Sequence, residues 1–89
     1  SRLMTEILTF NRGSEIYRVP LPAPLAGRSF RWLLRELNLH RGQLLLAVER
    51  DRQMHANPQG EFALQRGDLL FILSMGHPAK LEELTSASA

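Results

Sequence analysis

The chain contains no cysteine in its 89 residues, so neither a disulfide framework nor a thiolate metal site can be part of its chemistry. That absence fits a reducing compartment. No apolar run approaches the ~20 residues that cross a bilayer as a helix, and the N-terminal residues do not read as a signal peptide. No Gly-x-Gly-x-x-Gly occurs, so a dinucleotide site of the Rossmann kind has no place in this sequence. Lysine is nearly missing as well: the basic residues are ten arginines and Lys80, against nine acids. A nucleic-acid binder gathers its positive charge along one face. Arg28, Arg31, Arg35 and Arg41 do fall around one predicted helix, yet they read as a solvated face, and no nucleic acid is expected. His40, His55 and His77 sit in separate loops or turns without metal-ligand spacing, so no metal site is expected from them. Glu82 and Glu83 are adjacent on a predicted helix and do not face one another. Without a nucleophile, base or metal held in one constellation, the chain is not expected to be an enzyme.

What is present describes a small globular unit. The sequence is 44 % apolar and 22 % charged, an ordinary balance for a soluble domain. A chain of this size buries a little over ~60 % of its unfolded surface, enough for one modest core. It begins Ser-Arg-Leu, with its first methionine at position 4, and ends in "TSASA". Both ends read as the edges of a domain taken from something longer.

Local patterns divide the chain. "TEILTF" (Thr5 to Phe10) reads as a short strand, followed by a turn at Asn11 to Ser14. "EIYRVPL" puts Tyr17 and Val19 on one face and Ile16 and Arg18 on the other, the period of a strand, which Pro20 and Pro22 end. The clearest element is a helix capped by Ser29, with Phe30, Leu33, Leu34 and Leu37 forming its apolar stripe and Gly42 its exit. Trp32 lies off that stripe. "QLLLAVERD" and "GDLLFILSM" read as strands apolar on both faces, hence central and covered on both sides. Between them lie a short strand around Met54 and a turn at Asn57-Pro58-Gln59-Gly60. "HPAKLEEL" reads as a second helix, with Pro78 in its first turn and Leu81 and Leu84 as its stripe. The predicted order is β-β-α-β-β-β-α, an α+β domain built on a mostly antiparallel sheet. Residues 1–14 are assigned to a strand and connector from a preceding region, and 15–89 to the domain proper.

In that order, Leu25-Ala26-Gly27, Arg50, Asn57-Pro58 and Leu64-Gln65-Arg66-Gly67-Asp68 make up a pattern. It resembles the TrkA-C domain, also called RCK-C, the C-terminal lobe of domains that regulate potassium conductance. The likeness runs from about Glu15 to Leu84. No single piece is specific; the ordered set with these spacings is. Gly67 suits the tight turn into the last strand, and Asp68 can accept backbone N–H bonds within it. Gly27, Gly67 and Asp68 are therefore assigned to structural turns.

The resemblance implies a cytoplasmic regulatory lobe of a potassium channel or related cation transporter in an inner or plasma membrane, bacterial channels being most similar. It implies a homodimer, with a Rossmann-like N-terminal lobe and a membrane pore in the full protein. Relatives bind small ligands, cyclic dinucleotides among them, at the two-fold between C-lobes, so a cyclic dinucleotide or other small anion is the implied ligand. By position the candidates are Arg50, for a bidentate phosphate contact, with His55, Asn57 and Pro58. The residues themselves leave a structural reading open: Asn-Pro initiates turns, and Arg50 can pair with Glu49 or Asp51. A divalent-ion site from Glu49, Asp51 or Glu61 is less favoured, because no close carboxylate cluster is visible. Trp32 and Leu39, with the "LLLAV" strand, offer apolar surface for an interface. The rival reading is a metabolite-sensing lobe of a soluble regulator such as a transcription factor. Upstream apolar runs of ~20 residues would mark a pore, and a helix-turn-helix would mark DNA binding.

Overall fold

A computed structural model of the chain describes residues 13–84. The strand expected at Thr5 to Phe10 lies outside the described residues. Within them the order is β1 (Glu15–Pro20), a 3₁₀ turn (Ala23–Leu25), α1 (Phe30–Arg41), β2 (Leu44–Arg50), β3 (Gln53–Ala56) and β4 (Leu69–Ser74). The four strands form one antiparallel sheet in the order β1-β4-β2-β3. The last strand in sequence is thus central, between β1 and β2, and β3 is an edge.

Helix α1 follows its local signals. Ser29 Oγ accepts the Trp32 N–H at 3.0 Å, supplying a partner for one of the first-turn donors. Gly42 ends the helix with a left-handed φ of 64° and donates its N–H back to Asn38. Phe30, Leu33 and Leu37 are buried; Leu34 is only half-buried. They pack with Leu45, Val48, Leu70 and Ile72 from one face of the sheet, and with Val19, Leu25, Leu64, Leu81 and Leu84, into one core.

Two expectations are corrected. The second helix does not start at Pro78. Residues 77–80 have no helical structure, Lys80 takes a φ of 54°, and only a turn with the beginning of helical bonding spans 81–84. Leu81 and Leu84 are nonetheless buried, and the segment is tied down by Arg41, whose guanidinium donates to the carbonyls of Ala79 and Lys80. The backbone oxygens a helix would have used internally are instead met by a side chain from α1.

Among the described residues, the central strands are fully covered on one side only. Along β4, Leu70 and Ile72 are buried whereas Leu69, Phe71 and Leu73 are half-buried. Helix α1 covers one face of the sheet only. In β2 a register shift between Leu45 and Ala47 turns Leu45 and Val48 both toward the helix and leaves exposed Leu44, half-buried Glu49 and the small, buried Ala47 on the other face.

Candidate functional site

The candidate residues lie around the β2–β3 hairpin and the turn that enters β4. The hairpin closes through Asp51 and Arg52, both left-handed (φ 51° and 65°), the backbone that a two-residue type I′ turn requires. Asn57, just past β3, is left-handed too, at φ 46°. Outside glycine this backbone is uncommon, Asp and Asn tolerate it best, and Arg52 carries strain of about 1–2 kcal/mol. Three such residues flank one four-residue edge strand. Strain of this kind gathers at ligand clamps and switch regions.

Arg50 ends β2 on the helix side of the sheet, and its side chain is not paired with Glu49 or Asp51. Its Nε and Nη2 donate to both carboxylate oxygens of Asp68, each at 2.8 Å, and Nη2 also donates to the Ala63 carbonyl at 2.9 Å. The guanidinium lies 4.7 Å from the centre of the Phe62 ring. The His55 ring lies 5.2 Å from that of Phe62. Backbone bonds hold the arrangement: Phe30 N–H to the Phe62 carbonyl, Gly27 N–H to Leu64, and Leu64 N–H to Arg28 strap the 62–64 segment across the entry to α1. The turn Gln65 to Asp68 then delivers the carboxylate. Gly67, at φ 91°, takes the third position that only glycine occupies without strain, and Asp68 Oδ2 accepts the Gln65 N–H at 2.8 Å.

Asp68 is buried, 1 % exposed. Burial pushes its carboxyl up, but the Arg50 hydrogen bonds, the Gln65 N–H and the positive charges of Arg50 and His55 outweigh it and hold the group below its ordinary range. The Asp68 hydrogen bonds in turn raise Arg50, against the opposing effect of its own burial. A carboxylate depressed in the folded state stabilises above its unfolded pKa of about 3.9, and that contribution is lost as pH falls through the folded value. Thermal melts between pH 7 and pH 3 are expected to stay level down to about pH 5 and then fall. Asp68→Asn is expected to start lower and give a flatter profile.

The structure therefore separates the four ligand candidates. Arg50 and His55 are on the helix side, with Arg50 engaged by Asp68. Asn57 and Pro58 follow β3 outward, Asn57 exposed and Pro58 half-buried. Asn57 is held by its backbone, N–H to the Leu46 carbonyl at 2.9 Å, and its own carbonyl accepts from Gln59 Nε2 at 3.2 Å. Exposed Met54 lies beside them on β3. Sequence reasoning missed Phe62 and the Arg50–Asp68 pair, 18 residues apart; only the adjacency of β2 and β4 brings them together. Of the interface candidates, Leu39 is 69 % exposed, whereas Trp32 is half-buried against the core with Arg28 stacked 4.4 Å from its ring centre. The described residues enclose no cavity, and no three of their His, Asp or Glu side chains are grouped to hold a metal, Glu49, Asp51 and Glu61 included. No helix among them is long and apolar enough to cross a membrane.

No protein-family model matches the sequence. No characterised protein matches it by sequence either. Solved structures do match in fold. The RCK C domain of the potassium transport protein KtrA, solved in complex with cyclic diadenosine monophosphate (c-di-AMP), superposes with a TM-score of 0.66 at 20 % identity, over 97 % of this chain and 96 % of that one. The GsuK channel matches with a TM-score of 0.64 at 24 % identity, over 86 % of this chain, and the GsuK channel bound to NAD with 0.60 at 26 %. This chain spans 14 % of the length of that channel. The fold is that of an RCK C domain.

Proposed function

We propose that this chain is a regulatory lobe of a potassium channel or related cation transporter, a binding module and not an enzyme, placed on the cytoplasmic side of a membrane. It works as a homodimer, with a Rossmann-like lobe and a pore supplied elsewhere in the protein. Its ligand is a small anion of the cyclic dinucleotide class, taken at the β3 edge. The observation that carries this reading is the edge itself, a four-residue strand flanked by left-handed Asp51, Arg52 and Asn57. The Asn57 carboxamide faces outward there, able both to donate and to accept from a base edge. The fold shared along its whole length with a domain solved with c-di-AMP supports the same ligand class.

Mechanistically, a ligand gripping two β3 edges favours the dimer geometry in which both edges reach it. The ratio of its affinities for the two geometries sets how far the gate shifts. Calorimetric titration tests this, with c-di-AMP as probe and cyclic di-GMP and ATP for comparison. One c-di-AMP per two chains is expected, with affinity reduced roughly tenfold or more in Asn57→Ala, the ~1.4 kcal/mol of one good hydrogen bond. Absence of heat from all three nucleotides in a folded sample would remove the sensing role from this lobe.

A further inference from the structure

Local helix chemistry does not explain the solvent face of α1. The first turn of a helix favours carboxylates. Here it holds no acid, and Arg31 stands in it with Arg28 just ahead. Arg31 and Arg35 are a like-charge i, i+4 pair, an arrangement that weakens a helix. Among the described residues no carboxylate pairs with Arg28, Arg31 or Arg35. The one acid of the helix, Glu36, lies on its flank and meets His40 at 3.3 Å. Arg41, at the other end, is different: it suits the negative pole of the helix and holds the carbonyls of Ala79 and Lys80.

The apolar residues on this face are as unusual. Arg31, Arg35 and Leu39 form one i, i+4, i+8 row, with Trp32 beside it, all within about 100° of the helix circumference. Arg31 and Arg35 are exposed, Leu39 is 69 % exposed, and half-buried Trp32 carries the Arg28 guanidinium 4.4 Å from its ring centre.

We propose that this face docks on an anionic lipid surface. The proposal rests on the placement beside a membrane given above. Arginine, tryptophan and an exposed leucine are the residues of an interfacial helix: guanidiniums meet lipid phosphates, an indole sits in the headgroup layer, and an aliphatic tip reaches the acyl boundary. The shape agrees with the charge. The described residues enclose no cavity, and the back of a single helix offers a peptide no groove, whereas a bilayer needs none. Each arginine beside an anionic leaflet raises partitioning about fivefold, so three give roughly a hundredfold over a neutral membrane. A lobe held in this way responds to the anionic-lipid content of the leaflet, a second input beside its ligand.

Trp32 is the only tryptophan of the chain, so its fluorescence reports on this face alone. The experiment titrates the 89-residue chain with phosphatidylcholine vesicles, pure or with about 30 % phosphatidylglycerol. The expected result is a blue shift and co-sedimentation with the anionic vesicles only, falling steeply as salt shortens the Debye length. Arg31→Gln with Arg35→Gln is expected to lower partitioning about twentyfold. Arg18→Gln with Arg66→Gln, the same change in net charge made off the helix, is expected to leave it within about twofold. Equal losses from the two pairs, or equal binding to both kinds of vesicle, would overturn the face assignment. Duplex DNA or polyglutamate at matched charge binding more tightly than the vesicles, with Trp32 emission unshifted, would give the face to another partner and also overturn it. A folded chain that ignores vesicles but still takes one c-di-AMP per two chains would remove the docking face and leave the regulatory reading standing. Vesicle binding without any response to nucleotide would support the face and count against the sensing role alone.

Discussion

Arg50→Ala is expected to destabilise the domain by about 3–5 kcal/mol, the cost of removing one partner from a buried ion pair. The reason lies on the other side of the pair. Asp68 is 1 % exposed, and without the guanidinium its carboxylate is left with the Gln65 N–H in a site that water does not reach. The Ala63 carbonyl loses a donor in the same stroke, and the 62–64 strap loses the cation stacked on Phe62. At 0.05–0.15 kcal/mol per residue, a domain of this length has roughly 4–13 kcal/mol in total. Urea melts should therefore show a large fall in midpoint or an unfolded chain. Arg50→Lys keeps the charge without the two-pronged geometry and should fall between. A double replacement, Arg50→Met with Asp68→Leu, removes both charges and should recover part of the loss. Arg50→Ala within about 1 kcal/mol of wild type would mean that Asp68 is solvated or protonated in the folded state. Loss of ligand binding in Arg50→Ala is consequently no sign of contact with a ligand; Asn57 is the residue to change.

Leu37→Ala is expected to cost about 2–5 kcal/mol, the transfer of a fully buried side chain plus the cavity left behind. Leu37 is 0 % exposed in the C-terminal half of α1, in the core between helix and sheet. Two residues on, Leu39 is 69 % exposed, and Leu39→Ala should stay within about 0.5 kcal/mol. The contrast between two leucines two positions apart measures directly which face of α1 is the core. Equal effects from both would place Leu39 in a contact beyond the single chain.

Much of this fold is legible from residue patterns. The α1 stripe, its Ser29 cap and its Gly42 exit are local chemistry, and the structure has all three. The central position of the Leu69–Ser74 strand follows from its apolar run. What periodicity cannot show is whether such a run is covered on both faces or on one. "LLLAV" reads as two-sided because a register shift at Leu46 hides the alternation. The apolar outer row of β4 reads the same way for another reason, a face that α1 leaves open. The second helix does not begin at Pro78: Leu81 and Leu84 have helical spacing, while the Lys80 backbone and the Arg41 contacts that fix residues 79–80 are tertiary. At the candidate site, Gly67 and Asp68 were legible as a turn. The identity of the cation that Asp68 holds was not, since it depends on strand order and not on distance along the chain.

The most direct test of a ligand-responsive regulatory lobe is sedimentation velocity of the domain across a c-di-AMP titration. The expected result is a monomer–dimer mixture that moves to dimer and saturates at one nucleotide per two chains. An unchanged sedimentation profile up to a large excess of nucleotide would contradict it.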